Sequence, residues 1–177
     1  MNRLLRWGLA LVVASGLLIG GLLLLPISAW LPGGTVGDIP SSQVVNGSAF
    51  NRLFPMPGTG EQLVFTQEKR GFSQAKLSRG ETALALLAIS DTATAPEARS
   101  KFNDPSALIQ GWPLVDQGDR ASALLVSGRF QVKVIGQDAG LDLTQRHDLL
   151  AAFDLPALAA LPQPGDAKTF PPSRDPA

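Results

Sequence analysis

The sequence lacks cysteine, and this absence removes several kinds of chemistry at once. A chain with Cys 0 forms no disulfide, offers no thiol nucleophile and cannot hold zinc or an iron–sulfur cluster through sulfur. A lipidated cysteine of the lipoprotein type is excluded for the same reason. Tyrosine is also absent and there is 1 histidine, so few side chains remain for acid–base catalysis or metal binding. We therefore expect no enzyme activity, no cofactor and no metal site.

The charge balance excludes a further class of partner. The chain has 15 basic and 15 acidic residues, which gives a formal net charge of +0. A neutral chain creates no strong positive field around itself, and such a field is the main source of affinity for nucleic acid. Nucleic acid is therefore not an expected partner.

One long apolar run stands near the N-terminus. Residues 7–31 contain no charged side chain. About 20 apolar residues, rising about 1.5 Å each in a helix, match a hydrocarbon core of about 30 Å. Arg3 and Arg6 precede the run and the next basic residue is Arg52, which favours a cytoplasmic N-terminus and a remainder on the far side of the membrane. We predict that residues 1–31 form a single-pass transmembrane anchor.

A cleaved signal peptide is the alternative for this run. Ala29 is a small residue where cleavage would need one, and Pro26 would break the helix just before it. Against cleavage, the apolar part of a signal peptide spans about 7–15 residues, and this run is longer. Gly16 and Gly20 have the GxxxG spacing that lets two membrane helices pack closely. A weak homodimer through these two glycines is a further expectation.

Composition divides the rest of the chain into three parts. Residues 32–48 are rich in Gly, Pro and Ser and are predicted to be a flexible tether. Residues 49–161 are long enough for one small extracytoplasmic domain. Residues 162–177 are rich in proline and poor in apolar side chains, which predicts a disordered tail.

The domain pattern predicts an α+β fold, an antiparallel sheet with helices on one face. The expected strands are residues 63–68, 72–79, 82–90, 121–126 and 129–135, and the expected helices are residues 95–102, 105–110, 143–153 and 155–161. At residues 82–90, Ala and Leu favour a helix, but the length and the flanking turns favour a buried strand, which we choose. Pro113 lacks an N–H, so residues 112–115 are expected to be extended but not interior.

The hairpin of residues 121–135 is expected in the middle of the sheet. Its second arm alternates, with Phe130, Val132 and Val134 toward the core and Arg129, Gln131 and Lys133 toward a polar face. Its first arm is apolar on both faces, as a covered central strand should be.

Two candidate sites are weak on sequence grounds. His147 has no second histidine or cysteine with which to bind a metal, and no nucleophile motif accompanies it. Residues 138–142 loosely resemble a calcium loop, but Gly140 and Leu143 stand where that loop needs a ligand and a glycine. We expect His147 to be a half-exposed helix residue and residues 138–142 to be a turn followed by a helix cap.

Basic side chains gather on the first hairpin, where they have two possible roles. They would meet an acidic partner or an anionic head group, or they are a solvated edge that discourages aggregation. The possible interaction surface comprises Trp112, Lys69, Arg70, Lys76, Arg79, Arg129 and Lys133.

Five short segments carry a resemblance to a known family. They are ISDT (89–92), PEARSKF (96–102), IQGWP (109–113), GRFQVKV (128–134) and FDLPALAAL (153–161). Together they resemble a family of small, uncharacterised, membrane-anchored cyanobacterial proteins. The resemblance implies a thylakoid or plasma membrane with the domain in the lumen or periplasm, and it implies no catalytic residue. The element order is also similar to that of PsbP-like and Mog1-like domains, which are α+β modules.

Three functional hypotheses follow. The preferred one is a membrane-tethered, non-catalytic accessory or assembly domain that binds another membrane-associated protein. The alternative is a small-ligand or lipid-binding domain with a pocket between sheet and helices. The third is a hydrolase that uses His147. A large apolar cavity would favour the second hypothesis, and a Ser or Asp bonded to His147 in a cleft would favour the third.

Overall fold

A seven-stranded antiparallel sheet dominates the computed structural model, which describes residues 43–137 and 140–162. The strands are β1 (Glu61–Lys69), β2 (Phe72–Arg79), β3 (Thr82–Asp91), β4 (Ala107–Ile109), β5 (Trp112–Gln117), β6 (Ala121–Val126) and β7 (Phe130–Gly136). The helices are α1 (Ser48–Asn51), two 3-10 helices (Thr92–Thr94 and Pro96–Phe102), α2 (Leu143–Ala151) and α3 (Leu155–Ala159).

The sheet consists of two meanders joined at their last strands. The spatial order is β1-β2-β3-β7-β6-β5-β4, and each neighbouring pair is antiparallel. β7 is therefore the central strand, paired with β3 on one side and β6 on the other. This confirms the prediction that the hairpin of residues 121–135 lies in the middle of the sheet.

The turn between β6 and β7 explains why that hairpin closes tightly. Its central residues, Ser127 and Gly128, both have positive φ, 51° and 64°. Two positive values in succession match the right-handed twist of the flanking strands. Glycine adopts such a φ without steric cost, whereas Ser127 adopts it only because pairing on both sides fixes the turn.

The main core lies on one face of the sheet. Phe130, Val132 and Val134 of β7 are each 0% exposed there, as their alternation predicts. The helices α1, α2 and α3 and the segment after α1 cover this face, and Phe50 packs edge-on against Phe130 with ring centroids 5.9 Å apart. Burying this contiguous apolar face is the main source of stability in the domain.

The opposite face of the sheet, here called the second face, is covered over part of its area. The 3-10 helix Pro96–Phe102 places Phe102 against Val115, Ala123 and Leu125. β6 is therefore buried on both sides, as a sequence that is apolar at every position except Ser122 predicts. The part of the second face over β1, β2 and β3 includes the exposed residues Val64 and Lys76.

The α+β prediction is wrong, because the described residues form a β-rich domain with few, short helices. The helices of this region span three to nine residues, and the predicted helix at residues 95–102 is a 3-10 helix. The predicted helix at residues 105–110 is strand β4. Gln110 and Gly111 have φ of 51° and 83° and form a hairpin turn, so Gly111 reverses the chain rather than ending a helix. Residues 112–115, expected outside the sheet interior, belong to β5, which has a strand on each side.

No helix within residues 43–137 and 140–162 is long and apolar enough to cross a membrane. The predicted membrane helix of residues 1–31, with Gly16 and Gly20, lies outside the described residues, as do residues 32–42 and 163–177.

Other local predictions are confirmed. The chain forms strands at the first hairpin and at residues 82–90. Asp142 and Gln145 form a capping box at the start of α2, and Asp154 caps α3 through the N–H of Ala157. These caps fix where the two helices begin, and therefore where they dock on the sheet.

Candidate functional site

Four residues of the predicted interaction surface belong to the edge hairpin β1–β2. Lys69, Arg70, Lys76 and Arg79 are all exposed. Arg79 forms an ion pair with Glu61 at 2.7 Å, and Arg70 donates to the carbonyl oxygen of Val44 at 3.3 Å. The register places Arg79 at one end of the hairpin and Lys69 and Arg70 at the other, so the four basic side chains do not form one cluster.

The other three residues lie elsewhere. Trp112 is half-buried on β5 and packs against the main core. Lys133 is half-buried on the second face. Arg129 is 3% exposed, so its side chain lies inside the domain and not on a surface.

Arg129 forms a buried two-point ion pair with Asp91. Its Nε donates to Asp91 Oδ1 at 2.8 Å and its Nη2 donates to Asp91 Oδ2 at 2.6 Å. The same guanidinium donates to the carbonyl oxygens of Gln43 and Pro162 at 2.9 and 2.6 Å. The Asp91–Arg129 pair thus joins β3, the β6–β7 turn and both ends of the described chain.

Among the described residues, the outer edge of β1 is the longer of the two sheet edges that no strand pairs with. β1 has 9 residues, whereas the opposite edge strand β4 has 3, and no described strand pairs with the outer side of β1. Val64 is 50% exposed and Phe65 is 40% exposed. A long edge with free backbone groups and apolar side chains is a template for another strand.

Charged side chains on an edge strand discourage pairing with another chain. The two carboxylates of β1, Glu61 and Glu68, are bound to other groups of the domain. No charged residue occurs between Glu61 and Glu68. Glu61 binds Arg79 and accepts from the N–H of Gly58, and Glu68 accepts from Asn51 Nδ2 at 2.6 Å. A register shift between Phe65 and Gln67 marks a β-bulge. A bulge interrupts the regular edge and so limits non-specific pairing with other strands.

A cleft opens between the sheet and α2, at the end of the sheet where β1 begins. Its volume is about 340 Å³, which lies within the range of small-molecule sites. Its apolar lining comprises Leu77, Leu84, Leu141 and Leu149, and its polar lining comprises Glu61, Arg79, Gln145 and Asp148. The cleft exists because α2 packs over β6 and β7 and leaves the start of β1 uncovered on that side.

His147 belongs to a hydrogen-bonded cluster around Asp116. His147 Nε2 lies 3.0 Å from Asp116 Oδ1, and the Ser122 hydroxyl donates to the same oxygen at 2.5 Å. Arg146 Nε donates to Ser122 Oγ at 3.1 Å. Ser122 is 0% exposed, and both it and His147 bind the carboxylate rather than each other. A serine activated by histidine needs a direct contact between those two side chains, so this cluster fixes α2 to the sheet.

The contacts around Asp116 also set its ionisation. Burial disfavours the carboxylate, but the hydrogen bonds from Ser122 and His147 and the positive charges of His147 and Arg146 outweigh it. Together they hold the pKa of Asp116 below its usual value of 3.8.

Acid should therefore weaken the domain through Asp116. Because its pKa is lowered on folding, the carboxylate stabilises the fold above pH 3.8, and this contribution is lost as the pH falls from there through the folded pKa. We expect Asp116→Asn to unfold with a shallower dependence on pH below about 4 than the wild type. Circular dichroism across an acid titration measures this. Asp104→Asn, at an exposed position, should follow the wild-type curve, and identical curves for both variants would contradict the role of Asp116.

The sequence singled out His147 but missed its partners. Asp116 and Ser122 stand on adjacent strands, and only the pairing of Asp116 with Ser122 brings them side by side under α2. Phe65 and Val64 were also missed as surface residues, because an alternating strand gives no sign that it is an edge. No group of three or more His, Cys, Asp or Glu that could hold a metal ion occurs within the described parts of the chain.

Comparisons with protein-family models, curated proteins and solved structures find no match to the chain. The resemblance of residues 62–161 to a cyanobacterial family therefore stays a prediction, and the proposal for function rests on the geometry of the described residues.

Proposed function

We propose that the domain is a non-catalytic binding module that captures an extended segment of another protein on the outer edge of β1. The observation that carries this is the outer edge of β1, a strand of 9 residues with which no other described strand pairs on that side, and which has Val64 and Phe65 exposed at its centre. Strand addition supplies affinity through main-chain hydrogen bonds and specificity through alternate side chains.

The side chains around the edge indicate the chemistry of the partner. Phe65 projects to the core side and stacks edge-on against Phe54, with centroids 5.2 Å apart, so it is held rigidly. Val64 projects to the second face beside Lys76, its direct neighbour in β2. Lys69 stands at the end of the strand. An added strand with apolar residues opposite Val64 and Phe65 and acidic residues near the two lysines fits this surface.

Site-specific photo-crosslinking tests this proposal in the full-length protein. A photoreactive residue replaces Gln67 on β1, and the control replaces Thr144 on α2, which is also exposed. We expect one discrete adduct with another protein from position 67 and none from position 144. In the background of Val64→Lys, which places a charge on the edge, the adduct should be lost, because inserted lysines block strand pairing.

A matched substitution distinguishes the effect of a charge on the edge from a general loss of folding. Val64→Thr keeps the β-branched shape without a charge, and the adduct should persist. Adducts of equal yield from positions 67 and 144, or an adduct insensitive to Val64→Lys, would refute strand addition. An adduct that contains only a second copy of this chain would refute a foreign partner.

The cleft supports a second candidate function, the binding of a small amphipathic molecule. Four leucines would contact its apolar part, and Arg79 or Asp148 at the rim would contact a polar group. Ligand-observed NMR with a set of small amphipathic compounds tests this. Leu149→Trp should fill the cleft and abolish binding. Leu143→Trp, on the same helix at a position that is 47% exposed, should leave binding unchanged.

The location of the domain in the periplasm or thylakoid lumen rests on residues 1–31 and stays a prediction. Strand addition at β1 does not depend on it, because the edge belongs to residues 61–69.

A further inference from the structure

The cleft between the sheet and α2 has an apolar floor. Leu77 of β2 and Leu84 of β3 form this floor on the side of the sheet, and they are 3% and 9% exposed. Leu149 of α2 and Leu141 line the side of the helix and are half-buried. The volume of about 340 Å³ is enough for a small apolar chain, which these four leucines would shield from water.

The polar side chains of the cleft are brought together by strand register and by helical spacing. Glu61 and Arg79 are direct partners in the pairing of β1 with β2. On α2, Asp148 and Leu149 follow Gln145 by three and four positions, and residues at these spacings share one face of a helix. The helix therefore places a carboxylate next to the apolar wall of the cleft.

The Glu61 carboxylate is already bound within the domain. Its Oε1 accepts from Arg79 Nη2 at 2.7 Å, and its Oε2 accepts from the N–H of Gly58 at 3.0 Å. The Glu61 side chain is 17% exposed. Both oxygens of Glu61 have partners, and the charge of Arg79 is compensated by the same contact.

Asp148 differs from Glu61 because its carboxylate has no partner. Asp148 is exposed, and within residues 43–137 and 140–162 no hydrogen bond or ion pair engages its side chain. The side-chain oxygen of Gln145 accepts from the N–H of Asp142 at 3.0 Å, so it belongs to the helix cap. Asp148 is therefore the acceptor that the lining leaves for a ligand.

The charge of the lining favours a cation. Two carboxylates, Glu61 and Asp148, stand against one guanidinium, Arg79. Arg146 lies close by, with Nη1 on the carbonyl oxygen of Leu141 at 2.9 Å, but it is not part of the lining. A ligand anion would meet the unpaired carboxylate of Asp148, whereas a ligand cation would compensate it.

We propose that the cleft binds a small molecule that carries a protonated amine at the end of an apolar chain. This inference rests on the second candidate function, the binding of a small amphipathic molecule, and it specifies the charge of that molecule. The apolar chain contacts Leu77, Leu84 and Leu149, and the ammonium group donates to the Asp148 carboxylate. An acid of the same length is disfavoured by repulsion from Asp148.

Three probes with six carbons, hexylamine, 1-hexanol and hexanoate, test the proposal on the full-length protein. At neutral pH the amine is protonated and the acid is ionised, so the probes differ in charge on a similar chain. Saturation-transfer NMR titrations give the Kd of each, and Leu149→Trp, which fills the cleft, gives the background. We expect hexylamine to bind about two- to fivefold more tightly than hexanol, as a partly exposed ion pair allows. Hexanoate should bind more weakly than hexanol.

Two variants of α2 identify the carboxylate that selects the amine. Asp148→Asn keeps the shape of the side chain without its charge, so the preference for hexylamine should disappear while the affinity for hexanol stays unchanged. Asp142→Asn is the matched control. It removes a carboxylate at the start of the same helix but outside the lining, and asparagine still caps the helix. The preference for hexylamine should persist in this variant.

The outcomes distinguish the charge of the ligand from the existence of the site. Equal affinities for the three probes, or tightest binding of hexanoate, would refute the amine proposal and leave the cleft as a site for amphipathic molecules. A preference for hexylamine that persists in Asp148→Asn would also refute it. If no probe binds the wild type more tightly than Leu149→Trp, the second candidate function and the amine proposal are both wrong. Strand addition at β1 does not depend on any of these results.

Discussion

Arg129→Met is expected to destabilise the domain by about 3–5 kcal/mol, because it leaves a buried carboxylate without its counter-charge. The Asp91 side chain is 0% exposed and the Arg129 side chain is 3% exposed. In the variant, Asp91 keeps the backbone N–H groups of Ala93 and Val45 as donors, at 3.0 and 3.2 Å. Two neutral donors do not replace a guanidinium bound at two points. Urea denaturation followed by circular dichroism measures the change in the free energy of unfolding.

Arg79→Met is the matched control for this prediction. It removes the same group from an ion pair of similar length, 2.7 Å, but the Arg79 side chain is 65% exposed. Exposed ion pairs contribute about 0.2–1 kcal/mol, so the loss should be several-fold smaller. Equal losses at Arg79 and Arg129 would mean that the Asp91–Arg129 pair is not desolvated.

The double variant Asp91→Leu/Arg129→Met distinguishes the loss of the ion pair from the cost of leaving the Asp91 carboxylate buried without a counter-charge. Without either charge, part of the loss should be recovered relative to Arg129→Met alone. Recovery should be incomplete, because the carbonyl oxygens of Gln43 and Pro162 lose their donor. A double variant less stable than the single one would show that the bonds from the N–H groups of Ala93 and Val45 to Asp91 outweigh the cost of its unpaired charge.

Local patterns in the sequence predicted the strands and caps well. Alternation at Phe130, Val132 and Val134 predicted the core side of β7, and Asp142 with Gln145 predicted the start of α2. Each of these signals is contained within a few neighbouring residues. In these cases the residues that determine the local structure are the same residues that carry the sequence signal.

The errors arose where contacts distant in sequence decide the structure. Gln131 was expected on a solvated face but is 5% exposed, because the 3-10 helix Pro96–Phe102 covers the neighbouring strands. Arg129 was expected on the same polar face, but Asp91, 38 residues earlier, binds it inside the domain. The alternation of apolar and polar side chains along a strand assigns them to two faces of the sheet, but it does not show which other segments cover each face.

The candidate sites were harder to predict than the strands. The basic residues of the first hairpin were recognised, but the uncovered edge of β1 follows from strand order, which the sequence does not encode locally. The cluster around Asp116 joins His147 to Asp116 across 31 positions, through packing that only the folded domain creates. Such sites lie outside the reach of motif reasoning because they depend on which strands pair and which segments pack, and not on a local spacing of residues.

The substitution Phe130→Ala should be as damaging as the loss of Arg129, at about 3–5 kcal/mol. Phe130 is 0% exposed and begins the central strand. Its ring contacts Phe50 edge-on at 5.9 Å and lies beneath the Arg129 guanidinium at 4.8 Å. Truncation removes the ring from both contacts, and since sheet and helices enclose the site, the cavity cannot collapse fully.

Phe65→Ala provides the comparison on the edge strand. Phe65 also meets another ring, Phe54, at 5.2 Å, but it is 40% exposed, and water can fill the space that the ring leaves. We expect a loss of about 1 kcal/mol there, typical of a partly exposed position. Urea denaturation of both variants gives the two values under one protocol. Similar losses of unfolding free energy in the two variants would mean that the ring of Phe130 on β7 is no more important to the core than the ring of Phe65 on the edge strand. A loss at Phe130 that shrinks when Phe50 is also replaced by alanine would show that the two rings are energetically coupled, as their edge-on packing implies.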